Sequence, residues 1–317
     1  MALNSCEWLR AMRHMFSFDD GDGLIWLDGA LVPVLEARIH CLTPSLHRGD
    51  AVFEGIRAYG GELFLGDAHF ERLARSASAM GYAIPRSPIE LAKAAEAVLW
   101  ANELKDACIR AIAWRGSENL SATDSDGNIH MAIAAWHQPA PAAQGERGVR
   151  LHLSLWRRPH PETAPIAARC AGLELIGALA RRAARDAGFD DALLLDLQDQ
   201  VAAPTTGNIV LVDRQTLVSP VADCFLDSIA KRHVFALARK RGLAVVERKV
   251  SLADLRAADE VFMVGTTVEV APIVALENGA CRARWAVGPV TRDLADDFRA
   301  STEVRIPVSS RFKITGF

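Results

Sequence analysis

Several absences narrow the function classes before any motif is read. The 317-residue sequence has no apolar run approaching the roughly 20 residues that span a bilayer, so a membrane-spanning protein is not expected. It has no excess of basic charge. With 36 Lys and Arg against 39 Asp and Glu, the formal net charge is −3, which supplies no electrostatic case for nucleic acid or an anionic membrane surface. Its six cysteines (Cys6, Cys41, Cys108, Cys170, Cys224 and Cys281) show no CxxC spacing, which argues against a disulfide framework and a zinc site; no metal is expected. The first residues, Met1 to Trp8, carry an early acid and no apolar core of a secretory signal, so a cytoplasmic location is expected. Internal repeats and low-complexity tracts are also missing.

What is present is ordinary globular composition, 50% hydrophobic and 24% charged, in a chain long enough for two cores. Residues 1–22 read as an N-terminal arm without periodicity. Strand patterns cover Ile25–Leu27 and Ala30–Val32 around an Asp28-Gly29 turn, then Asp50–Tyr59 before Gly60-Gly61. A helix is predicted over Asp67–Met80 with Asp67 as N-cap, and another from Pro88 to about Asn102. Cys108–Trp114 and Ile129–Trp136 read as buried strands. The Pro/Ala/Gly-rich stretch 139–145 is the best boundary, separating a small α/β unit (23–138) from a larger one (146–317). Beyond it, strands (Val149–Leu155, Ala192–Leu197, Asn208–Val212, Glu260–Gly265) alternate with helices (Leu173–Ala187, Ser228–Arg241).

Five stretches carry a resemblance. They are His47-Arg48-Gly49-Asp50-Ala51-Val52-Phe53-Glu54-Gly55-Ile56-Arg57-Ala58-Tyr59, His69-Phe70-Glu71-Arg72-Leu73, Ile109-Arg110, Ala258-Asp259-Glu260-Val261-Phe262-Met263-Val264-Gly265-Thr266-Thr267-Val268-Glu269-Val270, and Gly288-Pro289-Val290-Thr291. In this order the chain resembles the class IV aminotransferases of pyridoxal phosphate (PLP) fold type IV, branched-chain aminotransferases above all. The resemblance covers Leu24 to about Leu294. It implies a two-domain α/β (α+β) fold and a homodimer. It also implies a phosphate cup of Arg72, Ser228, Ile229, Thr266 and Thr267, and a substrate side built from Phe53, Arg57, Arg110 and Arg48, the last standing where the family has a pocket tyrosine.

The stretch Thr163-Ala164-Pro165-Ile166-Ala167-Ala168-Arg169-Cys170-Ala171-Gly172 departs from that family where the chemistry sits. The family's Schiff-base lysine corresponds to Arg169, and a guanidinium stays protonated and cannot attack an aldehyde. The family's pyridinium acid, five residues before Asn208, corresponds to Ala203. Its tyrosine five residues past the lysine corresponds to Glu174, and its phosphate loop appears as Leu226-Asp227-Ser228-Ile229-Ala230-Lys231, with Asp227 adding an anion.

Arg169 and Glu174 either pair as an ion pair filling the vacated pocket or act as electrostatic stabiliser and general base. Arg110, in an apolar strand, is expected to be buried and to need an anionic partner, a ligand carboxylate ahead of an internal one. Cys170 and Cys224 read as small core residues ahead of nucleophiles.

The expectation is an enzyme on the aminotransferase scaffold without covalently bound PLP, still open to non-covalent PLP or another phosphorylated ligand. It would act on a small anionic amino-acid- or keto-acid-derived substrate by cyclisation, elimination, isomerisation or condensation. A conventional PLP-dependent branched-chain aminotransferase and a non-catalytic ligand-binding pseudoenzyme are the other two readings.

Overall fold

The computed structural model describes residues 23–117, 128–139, 147–279 and 281–303. The arm at 1–22 and nearly all of the 139–145 boundary lie outside them. The first sheet begins as a hairpin, β1 (Leu24–Leu27) and β2 (Ala30–Pro33). Asp28 and Gly29 both take positive φ at its turn, as a two-residue loop matching strand twist requires. After a short helix α1 (Pro44–Arg48) come β3 (Val52–Tyr59) and β4 (Glu62–Leu63), then helices α2 (Gly66–Ala79) and α3 (Pro88–Ala101). Strands β5 (Ala107–Arg115) and β6 (Ile129–His137) complete an antiparallel sheet of order β2-β1-β6-β5-β3-β4.

Residues of β3 alternate between two environments. Val52, Ile56 and Ala58 join Phe70, Leu73 and Ala77 of α2 in a core sealed from solvent. Burying each large apolar side chain contributes about 1.5–3 kcal/mol. The opposite face carries Phe53, Gly55, Arg57 and Tyr59. Helix α2 does not start as the sequence suggested: Leu65, at φ 54°, is the N-cap residue, and Asp67 sits in the first turn. Its carboxylate is therefore placed to complement the helix dipole, without a capping hydrogen bond. Helix α3 starts with Pro88 after a full capping box between Ser87 and Glu90.

The second sheet follows: β7 (Val149–Arg157), helix α4 (Glu174–Asp186), β8 (Asp191–Leu195), β9 (Val201–Pro204), β10 (Asn208–Asp213) and β11 (Thr216–Pro220). Then come α5 (Ile229–Lys240), β12 (Ala244–Arg248), α6 (Leu252–Ala257), β13 (Glu260–Gly265), β14 (Glu269–Asn278), β15 (Cys281–Arg284) and α7 (Pro289–Glu303). The strands run β12-β11-β10-β13-β14-β7-β8-β9 with β15 on β14, and the pairs β11·β12, β14·β7 and β7·β8 are parallel. The Gly288-Pro289-Val290-Thr291 motif becomes the start of α7. The Glu260 carboxylate accepts the backbone N–H of Val290 (3.1 Å) and Thr291 (2.8 Å), filling orphan donors of that helix. A side chain at Gly288 would occupy the space of that carboxylate, which is why only glycine fits.

The two sheets are clamped together around a cleft. Phe64, beyond β4, packs edge-on to His233 of α5 and 5.3 Å from the Phe298 ring of α7. The Tyr59 hydroxyl donates to Glu269 across the same junction (2.8 Å).

Candidate active site

Arg169 is placed by backbone. The segment 169–172 runs antiparallel to the entry of β3: Phe53 N–H donates to Arg169 O (3.1 Å), Ala171 N–H to Ala51 O (2.8 Å) and Gly172 N–H to Gly49 O (2.7 Å). Gly49, at φ +70°, and Gly172 approach so closely that a Cβ on Gly49 would lie 2.9 Å from the Gly172 Cα. The Arg169 N–H donates to the Ser76 hydroxyl of α2 (3.0 Å). These bonds bring the glycines of two distant motifs together and aim the Arg169 side chain across the Phe53 ring, 5.0 Å from its centroid.

Its carboxylate neighbour is Glu54 rather than the expected Glu174. Arg169 Nη1 lies 3.7 Å from Glu54 Oε2, the only ion pair of Arg169 among the described residues. Glu54 is fully buried and accepts from Arg72 Nε (2.6 Å), Arg72 Nη2 (2.8 Å) and, at His69 Nδ1, a third partner at 2.8 Å. Burial alone would raise the Glu54 pKa, but hydrogen bonds from Arg72 and His69 and the charges of Arg72 and Arg169 outweigh it and lower it to about 2. Burial pushes the His69 pKa down, and Glu54 opposes that.

Of the phosphate-cup residues, Arg72 and Ser228 meet at the start of α5 with donors already engaged. Arg72 spends Nε and Nη2 on Glu54, and its Nη1 donates to Asp227 O (3.0 Å). Ser228 is the N-cap of α5. Its own N–H donates to Asn208 Oδ1 (2.8 Å), while Asn208 Nδ2 donates to Leu226 O (3.1 Å), so the asparagine retained in the sequence fastens this loop. Burial would raise the Asp227 pKa, but Lys231 (2.8 Å) and Arg232 (2.8 Å) hold the carboxylate and lower it. Ile229 opens α5. Thr266 is half-buried and Thr267 exposed at the turn after β13.

On the sheet side, Arg110 corrects an expectation. Its strand is apolar, yet Arg110 is exposed, because it pairs with Gly55 of β3 on the cleft face and not on the core face. It stacks 4.6 Å over the Phe53 ring. Arg57, one step along the same face, is 1% exposed. Its guanidinium lies 4.9 Å over the Tyr59 ring, and none of its three nitrogens has a hydrogen-bond partner. Phe53 is buried between these groups. Arg48 is exposed in the last turn of α1. Cys108, opposite Arg57, feels all three cleft guanidiniums: burial raises its pKa, and Arg110, Arg57 and Arg169 oppose that.

Glu174 is exposed at the first turn of α4, near enough for its charge to act on Arg158 and Arg169. Arg158 was not singled out from the sequence. Burial lowers its pKa, and its Nη2 donates to Pro204 O (2.8 Å), beside the buried Ala203. Its doublet neighbour Arg157 in an exposed-looking stretch masks the signal. Ala203 packs with Ala202, Cys224 and Phe225 in a small apolar cluster. Burial, then Asp223 and Asp196, push the Cys224 thiol up to about 12, so it remains a thiol; Cys170 is buried in the core behind β3. Among the described residues no cluster of His, Cys, Asp or Glu could hold a metal ion, and no helix is long and apolar enough to cross a membrane.

Arg57 and Arg110 of the antiparallel sheet and Arg169 of the segment that crosses to the larger mixed sheet meet on the Phe53 face of β3, on an α/β scaffold. Residues 51–276 match the model of the amino-transferase class IV family, and the chain belongs to that family. It is 38% identical over 255 residues to a probable branched-chain-amino-acid aminotransferase of Rickettsia felis, covering 80% of this chain and 87% of that protein. Against the branched-chain-amino-acid aminotransferase of Pseudomonas aeruginosa it is 34% identical over 287 residues, covering 88% and 92%. The branched-chain aminotransferase of Thermoproteus uzoniensis, solved with norvaline, superposes with a TM-score of 0.84 at 34% identity, over 89% of this chain and 95% of that one. The branched-chain amino acid aminotransferase of Thermobaculum terrenum, solved in its PLP form, gives 0.79 at 27% identity, over 89% and 94%.

Proposed function

We propose that this member of the class IV family works without covalently held PLP, as an enzyme on a small carboxylate-bearing substrate of amino-acid or keto-acid type. The observation that carries this reading is the donor set of the cleft. Capture of the cofactor aldehyde needs an amine that can lose its proton, and Arg169 offers a guanidinium that cannot. Among the described lysines, Lys93 and Lys105 are exposed outside the cleft elements, Lys240 is exposed at the end of α5 away from its Ser228 cap, and Lys249 is held by Asp196 and Asp223. The one buried lysine among them, Lys231, keeps its Nζ on Asp227 (2.8 Å) and Glu247 (2.6 Å). Ala203 offers no carboxylate to a pyridine nitrogen, and Arg158 stands beside it. PLP as a covalently held, ring-protonated group does not fit these residues.

The residues present support polar chemistry. Arg110 and Arg169 can hold a carboxylate or stabilise a developing oxyanion, with Phe53 as the apolar surface against which the substrate lies. Glu174, flanked by the charges of Arg158 and Arg169, is the candidate base for a proton transfer. Cyclisation, elimination, isomerisation and condensation are open to this set where the substrate's own carbonyl or leaving group accepts the electron pair that proton removal releases. The substrate is small and anionic, and the working unit is a homodimer, checked by light scattering. Non-covalent PLP or another phosphorylated ligand would have to compete with Glu54 for Arg72.

A second reading, conventional PLP-dependent transamination of branched-chain amino acids, is favoured by the names of the relatives above. The two part experimentally. The purified protein is expected to be colourless, to give no borohydride-fixed adduct when PLP is added, and to show no transamination of leucine, isoleucine or valine with 2-oxoglutarate. Arg169→Lys alone is expected to leave activity more than tenfold below an ordinary family member, about 1.4 kcal/mol in barrier. PLP-dependent transamination by the parent chain would establish the second reading instead. Absence of turnover across candidate keto and amino acids, with binding retained, would point to a non-catalytic binding protein.

A further inference from the structure

The helix-bearing face of the first sheet holds a cavity of its own, on the side away from the cleft. We propose that it binds a free apolar α-amino acid, at a site separate from the cleft and independent of the chemistry proposed there.

Two observations carry it. The first is the cavity, about 530 Å³, where the Asp28-Gly29 turn, the loop before α3 and the start of β6 meet. Small-molecule sites are of roughly 300–1,000 Å³. Trp26, Pro85, Ile129 and Met131 give it an apolar wall. Trp26 and Met131 belong to the core that α2 and α3 cover, and Ile129 packs against that core. Phe53, Arg57 and Arg110 stand on the opposite face of the same sheet, and no cleft residue is among the described residues that line the cavity.

The second observation is the pair of charges at the mouth. The Asp28 carboxylate is fixed from one side: Oδ1 accepts the Met131 N–H (2.7 Å) and Oδ2 lies 2.6 Å from His130 Nδ1. His130 is itself stacked on Trp114, with ring centroids 5.7 Å apart. Arg86 lies over the next residue of the turn. A Cβ on Gly29, at φ +117°, would stand 3.2 Å from Arg86 Nη2, so the glycine leaves room for the guanidinium. Arg86 does not pair with Asp28. Its ion pair among the described residues is with Glu90, at 3.7 Å, and Glu90 Oε2 is engaged with Ser87 in capping α3. A group that only accepts and a group that only donates thus flank one turn, beside an apolar wall, without meeting.

The complement of that mouth is a zwitterion, with an ammonium for Asp28 and a carboxylate for Arg86. The two protein charges are neighbours, so the ligand carries its own two on neighbouring atoms, as an α-amino acid does. Its side chain lies against Trp26 and Ile129. A simple carboxylic acid answers Arg86 but brings an anion toward Asp28, and a simple amine brings a cation toward Arg86. A phosphate adds still more negative charge beside Asp28 and Glu90.

The experiment is isothermal titration of the intact protein with phenylalanine, alanine, 3-phenylpropionate and phenethylamine. Phenylalanine is expected to bind at least tenfold more tightly than the other three. Arg86→Ala and Asp28→Asn are each expected to weaken phenylalanine at least tenfold. Both variants should fold, since Arg86 is exposed and asparagine accepts the positive φ of position 28 as aspartate does. Arg86→Glu makes the mouth wholly acidic and is expected to reverse the order, with phenethylamine bound more tightly than phenylalanine. Arg110→Ala, in the cleft, is expected to keep the parental affinity for phenylalanine.

No phenylalanine binding by the parent chain, or alanine, 3-phenylpropionate or phenethylamine binding as tightly, would each overturn the proposal. So would a folded Arg86→Ala or Asp28→Asn protein with parental affinity, or an Arg86→Glu protein that still prefers phenylalanine. Loss of phenylalanine binding in Arg110→Ala would place the amino acid in the cleft and overturn it as well.

Discussion

Glu54 and Arg57 stand three residues apart on β3, both buried and both charged, and their surroundings are opposite. Glu54 faces α2, where Arg72 and His69 satisfy both of its oxygens. Arg57 faces the cleft, where none of its nitrogens has a partner. The pleat of one strand thus separates a charge held by hydrogen bonds within the fold from one without them, whose electrostatic neighbours are Glu269 and Tyr59. A buried ion with good partners is neutral to stability but costly to break, whereas an unpaired one costs stability until something binds it. That contrast locates the functional face of the sheet better than exposure does.

The contrast can be broken from either side. Removing the Glu54 charge should have the largest effect: Glu54→Gln strands Arg72 and weakens the hold on Arg169, and should cost about 3–5 kcal/mol in urea unfolding. A loss under about 1 kcal/mol would mean that the Glu54 cluster is not structural.

Acid should do the same work gradually. The Glu54 pKa lies near 2, below its ordinary value of 4.5, so its ionised form favours the fold. That contribution is complete above about 4.5 and is lost as the pH falls from there toward 2, on the order of 3 kcal/mol in all. His69, whose pKa is lowered by burial, adds a loss that begins as the pH falls below about 6.5. The urea midpoint measured across this range should decline in the parent and decline less steeply in Glu54→Gln.

Arg57→Met should move the other way. Replacing an unpaired buried cation by an apolar side chain of similar length is expected to stabilise the ligand-free protein by about 1–4 kcal/mol. A destabilised Arg57→Met protein would show that the charge of Arg57 on Glu269 serves the fold.

Arg110→Ala, exposed and held among the described residues by its stacking on Phe53, is expected to change the unfolding free energy by no more than surface substitutions do, about 0.5 kcal/mol. A larger loss would make the Arg110–Phe53 stack part of the fold.

The family was legible in the chain: the order of the five motifs pointed to it, and the family model matches residues 51–276. The correspondence of Arg169, Ala203, Glu174 and Asp227 to the family's chemical groups rests on the resemblance alone. Asn208 was noted as retained, but its task of pinning Leu226 and Ser228 was not visible, since it depends on a loop about 20 residues away. Arg110 was misread as buried: an apolar strand signals burial only on the face that meets a helix, and the partner glycine across the strand pair opens the other. Glu54 and Arg158 were passed over because nothing in their neighbours along the chain names the Arg72 or Pro204 they meet.

The sequence by itself determined the family, the alternation that makes β3 a two-faced strand, and the absence of an ionisable amine at position 169. Those are properties of residue types and their spacing. The partner of Arg169, the lack of hydrogen bonds at Arg57 and the cavity beside the Asp28 turn were decided only in three dimensions. Each depends on which carboxylate, ring or empty volume the packing of the elements brings within a few ångströms, and Coulomb and hydrogen-bond energies vary steeply over such distances.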